Sequence, residues 1–201
     1  MTARGRRPKT KAAADYHHGD LRQALLDAAI VLMTEEGIAA LSLRELARRI
    51  GVTYGAPHHH FPEKVELFAA IAEEGFAALI ARVQERLVAA PDAPAERLRI
   101  VGRTYLDFAT TETVRYAVMF LPELRDRERF RALHATGGRA LELLAAGFEA
   151  TGVPRATAPA RAVACWSTLH GFAMLVNQGF LDERWPPIER LTREVVETAT
   201  R

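Results

Sequence analysis

His58, His59 and His60 form the densest cluster of metal-capable side chains in the sequence, with His17 and His18 as a second pair. Metal chemistry needs ligands that converge. Consecutive residues on a helix point about 100° apart, so three adjacent imidazoles cannot meet at one ion. Neither a cysteine nor a carboxylate stands three or four residues away to complete a set, because Glu63 lies beyond the break at Phe61 and Pro62. No metal and no cofactor are expected. Nucleophilic chemistry fares no better: the single Cys165 lies in an apolar stretch and reads as a small buried hydrophobe. There is no Gly-rich phosphate loop and no nucleophile elbow, and Glu35, Glu36, Glu73 and Glu74 read as solvated helix faces. An enzyme is not expected. Imidazoles at 58–60 can instead donate hydrogen bonds to a phosphate or a base edge and gain charge beside a polyanion. Lys64, in the first turn of a helix, opposes the helix dipole unless it meets a phosphate. Arg4, Arg6, Arg7, Lys9 and Lys11 crowd an N-terminal arm with no acid before Asp15. Such an arm is too polar to fold alone and is expected to stay disordered until it lies along a DNA backbone or minor groove.

The elements that would present these groups are legible around them. Ser42 and Glu45 have capping-box spacing, which starts a helix at Leu43. Leu43, Leu46, Ala47 and Ile50 face inward and Arg44, Arg48 and Arg49 outward, until Gly51 supplies the left-handed stop. Val52 is the expected buried plug and Thr53 the N-cap of a second, short helix over 53–60. Pro57 is then tolerable only at the end of the first turn, and Pro62 ends the helix. Its exposed residues are Tyr54, Gly55, Ala56, His58 and His59. The whole is a helix-turn-helix that could enter a DNA groove. Before it, 20–36 repeats Leu21, Leu25, Ala28 and Leu32, widened by Ala24 and Val31, and ends at Gly37. After it, the helix 63–87 carries Val65, Leu67, Phe68, Ile71 and Phe76 to cover this small core.

A chain of 201 residues, 49% hydrophobic with net charge +2, can build an ordinary core. The longest apolar run, 162–176, is broken by Ser167, Thr168 and His170 and is too short for a membrane span. With no signal-peptide pattern either, a cytoplasmic location is expected. Pro91 and Pro94 mark a composition break over 89–94, and from there only helices are predicted: 95–108, 112–121, 125–151, 159–180 and 187–198. The helix 159–180 is apolar on nearly all sides, so one face is expected to meet a partner. Together with the last helix it would form a four-helix dimer interface, with Val163, Ser167, Leu191 and Val195 in the contact. Trp166, His170 and Met174 recur every four residues, and Tyr105, Phe108, Tyr116, Met119 and Phe120 add aromatic and sulfur surface. These could line an apolar small-molecule pocket or simply pack a core. His170, if buried, needs a partner.

The segments YHHGDLRQALLDAA and LSLRELARRIGVTYGAPHHHFPEKVELFAAI resemble the TetR family of transcriptional regulators. That resemblance implies an all-α protein, a three-helix DNA-binding domain followed by a helical ligand-binding and dimerisation domain, and repression relieved by a small-molecule effector. It implies that Thr53 caps the reading helix and touches phosphate, and that Tyr54, Gly55 and Ala56 face base edges. His59 and His60 would lie near base or backbone and Lys64 on phosphate. At 58 the family's usual Tyr is replaced by His58. Trp166, His170 and Gly171 are similar to a Trp...His-Gly signature of one subgroup, implying a homodimer through the last two helices. The expected organisation is an arm over 1–18, a DNA-binding domain over 19–79 and a ligand-binding domain over 80–201, acting on a double-stranded operator. A helical small-molecule-binding protein or enzyme that does not use the domain on DNA is the alternative.

Overall fold

A computed structural model describes residues 18–201 of the chain. Arg4, Arg6, Arg7, Lys9, Lys11 and His17 lie outside the described residues. Within them the structure is helical, with no strand: α1 (His18–Glu36), α2 (Leu43–Ile50), α3 (Lys64–Val88), α4 (Pro94–Thr111), α5 (Thr113–Met119), α6 (Arg131–Ala150), α7 (Ala158–Asn177) and α8 (Ile188–Ala199). Among the described residues no helix is long and apolar enough to cross a membrane. The chain divides into two compact units between Pro62 and Glu63. The proline-bounded break at 89–94 is the loop between α3 and α4, inside the second unit.

In the first unit α1 packs on α2, and α2 on the 3-10 turn Pro57–His59. The buried stripe of α1 is Leu25, Leu26, Ala29, Leu32 and Met33, and Val31, expected to widen it, faces solvent. A 3.6-residue repeat started at Leu25 reaches Ala29 and Leu32 and leaves position 31 on the far side. Helix α2 begins as expected, with Ser42 Oγ accepting from the Glu45 amide at 3.1 Å. The reciprocal half of the capping box does not form. The Glu45 carboxylate is taken by Arg48 at 2.6 and 2.8 Å and by Arg49 at 3.2 Å, since charged donors bind a carboxylate more strongly than an amide does. Arg49 consequently does not extend outward. It reaches back to Glu35 at 2.6 Å and to Glu36, clamping the end of α1 to α2. Gly51 ends α2 at φ 73°, a left-handed conformation that a side chain would strain.

In the second unit α3 packs against α4, α5 and α6, and α7 against α4, α6 and α8. Phe76, Leu98, Phe108, Tyr116, Phe148 and Leu169 are among its buried side chains. Helix α3 opens on a complete capping box, Glu63 with Glu66. The helix expected over 125–151 starts only at Arg131. Asp126 accepts the amides of Glu128 and Arg129, each at 3.0 Å, and this turn competes successfully with a helical start. Helix α7 buries a single stripe, Ala158, Ala162, Cys165, Leu169 and Ala173, rather than its whole circumference, and burial pushes the Cys165 thiol up to about 11.

Candidate functional site

Two regions gather the candidate residues, one in each unit. In the first, the expected helix over 53–60 is replaced by a turn at 54–56 followed by the 3-10 turn Pro57–His59. Pro57 explains the difference. It has no amide to give the Thr53 carbonyl, so Ala56 closes an i→i+3 bond to Thr53 at 3.0 Å and Pro57 becomes the first residue of the next turn, where a missing donor costs least. Ala56, not Thr53, occupies the N-cap, and no side-chain cap bond forms there. Val52, the expected plug, is only half-buried.

The result is a compact polar projection. Pro57 and Phe61 are buried and anchor it, with the Arg22 guanidinium 5.5 Å from the Phe61 ring centroid. Thr53, Tyr54, Gly55, His58 and His59 are exposed, while Ala56 and His60 are half-buried. Arg44, on α2, donates from Nε to the Tyr54 hydroxyl at 2.9 Å and holds the phenol above α2. Arg48 and then Arg49 hold the Glu45 carboxyl down to about 2, so the acid stays ionised and the two guanidiniums stay tied to it. His58 Nδ1 lies 3.0 Å from the Pro62 carbonyl, which fixes the proton on that nitrogen and turns the imidazole toward its own backbone. Lys64, the first residue of α3, belongs to the second unit and has its ammonium 5.1 Å from the Phe68 ring centroid. The Glu63 carboxylate already caps the α3 amides, so a phosphate reading of Lys64 rests on its ammonium and not on a free helix terminus.

In the second unit Tyr105, Tyr116, Trp166 and His170 form one hydrogen-bonded cluster. The indole Nε1–H donates to the Tyr105 hydroxyl at 3.0 Å, the two phenols are 3.0 Å apart, and His170 Nδ1 is 2.7 Å from Tyr116 and 3.0 Å from Tyr105. Phe120 stacks edge-on against His170 with centroids 4.5 Å apart. Burial lowers the His170 pKa, raises that of Tyr105 and pushes the Tyr116 phenol up to about 12. Two cavities adjoin the cluster. Tyr105 and Trp166 line the first, of about 140 Å³, and Met119, Phe120 and Trp166 line the second, of about 400 Å³. Phe108 and Tyr116 are buried outside the lining, His170 borders neither cavity directly, and Met174 points to solvent.

Sequence reading missed Phe76, Gly137 and Leu141, which line both cavities. A signal was available. Two successive glycines inside a helix are costly, at roughly 1 kcal/mol each relative to alanine, and a Cβ at Gly137 would lie in van der Waals contact with the Phe76 ring at 3.4 Å. Of the residues expected in a dimer contact, Val163 and Ser167 are exposed, and Leu191 and Val195 half-buried. Among the described residues no group of three His, Cys, Asp or Glu is placed to hold a metal ion.

A helix-turn-helix unit with a polar, exposed projection is thus followed by a hollow helical bundle. Residues 98–199 match the tetracyclin repressor-like C-terminal domain, and residues 25–71 match the bacterial regulatory proteins of the tetR family. The chain is 42% identical over 65 residues to the HTH-type transcriptional regulator AcrR of Shigella flexneri, covering 32% of this chain and 28% of that one. A solved structure of a protein with unknown function from Rhodococcus sp. RHA1 is 30% identical with TM-score 0.75, covering 94% and 95% of the two chains. AibR, solved in complex with isovaleryl coenzyme A and operator DNA, shares the fold at 22% identity and TM-score 0.65, covering 88% and 96%. The chain belongs to the TetR family of regulatory proteins. It spans from 28% to 58% of the length of the curated relatives AcrR, BetI and SlmA that it matches.

Proposed function

We propose that the protein is a cytoplasmic, homodimeric transcriptional regulator that binds a palindromic operator on double-stranded DNA. It acts as a repressor and leaves the operator when a small-molecule effector occupies the helical bundle, without catalysing a reaction of its own. The observation that carries this reading is the projection at 53–60: polar and aromatic side chains stand out from a backbone fixed by Gly51, Pro57 and Phe61. It is short enough to enter a major groove, and two copies related by a two-fold axis would read two half-sites. Arg44, Thr53, His58, His59, His60 and Lys64 would supply contacts to phosphate and base, and the arm with Arg4, Arg6 and Arg7 would add backbone contacts. AibR, solved in complex with isovaleryl coenzyme A and operator DNA, supports the coexistence of effector and operator binding on this fold.

Selection of bound fragments from random double-stranded DNA tests the reading. A palindrome should be enriched; a folded dimer that enriches none would leave a small-molecule-binding protein that does not use the domain on DNA. Two substitutions divide the contacts. Lys64→Ala should weaken binding to all sequences alike and reduce the slope of log affinity against log salt by about one unit. A change in base preference instead would remove Lys64 from the backbone. Tyr54→Ala should relax base choice at one operator position by about 1–3 kcal/mol, measured by repeating the selection. Because Arg44 holds the phenol, Arg44→Ala should blur the same position, and an unaltered motif in both variants would exclude Tyr54 from the reading surface.

A further inference from the structure

The two cavities of the helical bundle share Phe76, Gly137, Leu141 and Trp166 as lining residues, and their walls differ in chemistry. The smaller is walled by aliphatic and aromatic side chains of α3, α4, α6 and α7, with the Gln84 amide exposed at its edge. The Tyr105 hydroxyl and the Trp166 indole also border it, but they are engaged with each other at 3.0 Å, and Tyr105 is further bound to Tyr116 and His170. Deep in this limb no polar group is left to satisfy a ligand's own, and burying an unpaired polar group there is costly. A molecule that enters it must be apolar at that end.

The larger cavity has the opposite character at its mouth. Arg125 and Arg127 line it from the segment before α6, and His134 from the first turns of α6. Arg129, two residues on, is held by Glu63 at 2.6 Å and by Glu66, whereas the Arg125 and Arg127 side chains have no carboxylate or hydrogen-bond partner among the described residues. His134 is oriented by donating from Nε2 to the Leu124 carbonyl at 2.9 Å, which ties the Arg-bearing segment to α6. Gly138 adds a second observation. It lines this cavity in a helix interior, where glycine is unfavourable, yet a Cβ there would meet nothing within 4 Å. It leaves room rather than relieving a clash.

We propose that the two limbs form one site for an anionic amphiphile, with its apolar body in the limb beside Tyr105 and Trp166 and a carboxylate or phosphate head beside Arg125 and Arg127. This names the effector class of the regulator and rests on that reading. Guanidinium recognises either anion with paired hydrogen bonds, so both heads share one chemistry.

The chain has two tryptophans, so Trp185→Phe in the full-length protein leaves Trp166, which lines both limbs, as the sole reporter. Decanoate, decyl phosphate and decanol are titrated against its fluorescence without DNA. At least one of the two anions should bind about tenfold or more tighter than decanol, and the tighter of the two identifies the head. Raising salt from about 50 to about 500 mM should weaken the anion alone. Arg125→Ala combined with Arg127→Ala should remove the anion's advantage and leave decanol unchanged, since both side chains are exposed. Gly138→Leu should weaken all three probes in a protein that melts no lower than its parent. Equal binding of decanol and both anions, an unchanged anion affinity in the double variant, or no response to any probe would each overturn the proposal. A protein that selects a palindrome but ignores the anions sinks this inference alone; one that binds them and selects no DNA leaves the site standing and sinks the regulator.

Discussion

Tyr116→Ala is expected to lower folding stability by about 3–5 kcal/mol, whereas Tyr116→Phe should cost no more than about 1.5 kcal/mol and Tyr105→Phe about 1–3 kcal/mol. The first value follows from packing. Tyr116 is 1% exposed and its ring meets Tyr105, His170 and Phe120 at centroid distances of 5.9, 5.7 and 5.1 Å, so truncation opens a cavity in a rigid aromatic cluster. The order of the two phenylalanine variants follows from counting hydrogens. An indole can only donate, so the Tyr105 oxygen accepts from Trp166 and its hydrogen must go to Tyr116 or His170. The shorter 2.7 Å contact places the Tyr116 hydrogen on His170 Nδ1, giving a chain from Trp166 through Tyr105 and Tyr116 to the imidazole. Removing the Tyr116 hydroxyl lets Tyr105 donate directly to Nδ1 across 3.0 Å, and every donor keeps an acceptor. Removing the Tyr105 hydroxyl strands the indole N–H. Urea unfolding of the three variants at neutral pH gives the order, and a Tyr105→Phe variant no less stable than Tyr116→Phe would break the chain as drawn.

The same chain requires a neutral His170. Protonated at Nδ1, it would have to donate, the phenols would reverse, and one hydroxyl hydrogen would have no acceptor in the cluster. Burial independently lowers its pKa in the folded state below the ordinary 6.5. Below that value the unfolded chain binds the proton more readily than the folded one, so stability falls with falling pH. The contribution is therefore present above about pH 6.5 and lost progressively below it, until the lowered folded value is passed. His170→Gln should flatten that part of the stability profile between pH 7 and the acid limb.

Local signals were legible where one residue decides the outcome. Ser42 started α2 and Gly51 ended it as their types require, and the helices expected over 95–108 and 187–198 are found as α4 and α8. Position 53 failed because two local rules competed: Thr53 is a good cap, but Pro57 cannot bond to it, and the amide of Ala56 was closer. The start of α6 failed because the Asp126 carboxylate has the stronger claim on two amides inside the range expected to be helical. The cavity was half legible. Tyr105, Phe120 and Trp166 stand out by type, but Phe76, Gly137 and Arg125 come from distant parts of the chain and acquire a shared role only when α3, α6 and the segment before α6 are brought together. No periodicity reports a contact of that separation.

Val163→Asp is expected to dissociate the proposed homodimer, raising its dissociation constant by about a thousandfold or more and removing cooperative operator binding. Opposite its buried stripe, α7 presents Val163 and Met174, three helical turns apart on one face, at 49% and 37% exposure. Single exposed apolar residues are ordinary, but an aligned pair on one helix is a surface that water disfavours. Ser167 and Gly171 lie between Val163 and Met174, and nothing stands within 4 Å of a Cβ built at Gly171. Small side chains there let a second helix approach closely, and α8, packed beside α7, adds the half-buried Leu191 and Val195 to the same unit. Two-fold symmetry puts each substitution in the interface twice. An unpaired carboxylate in a dry interface costs several kcal/mol, and each 1.4 kcal/mol is about tenfold in dissociation, so two of them exceed a thousandfold. Val88→Asp, at an equally apolar and more exposed position at the end of α3, is the control and should leave the assembly unchanged. Sedimentation velocity over a concentration series measures both. A Val163→Asp protein that remains a dimer at the parent's concentration range would place the interface on another face, and the operator would then have to be read by two units held together by residues other than those of α7.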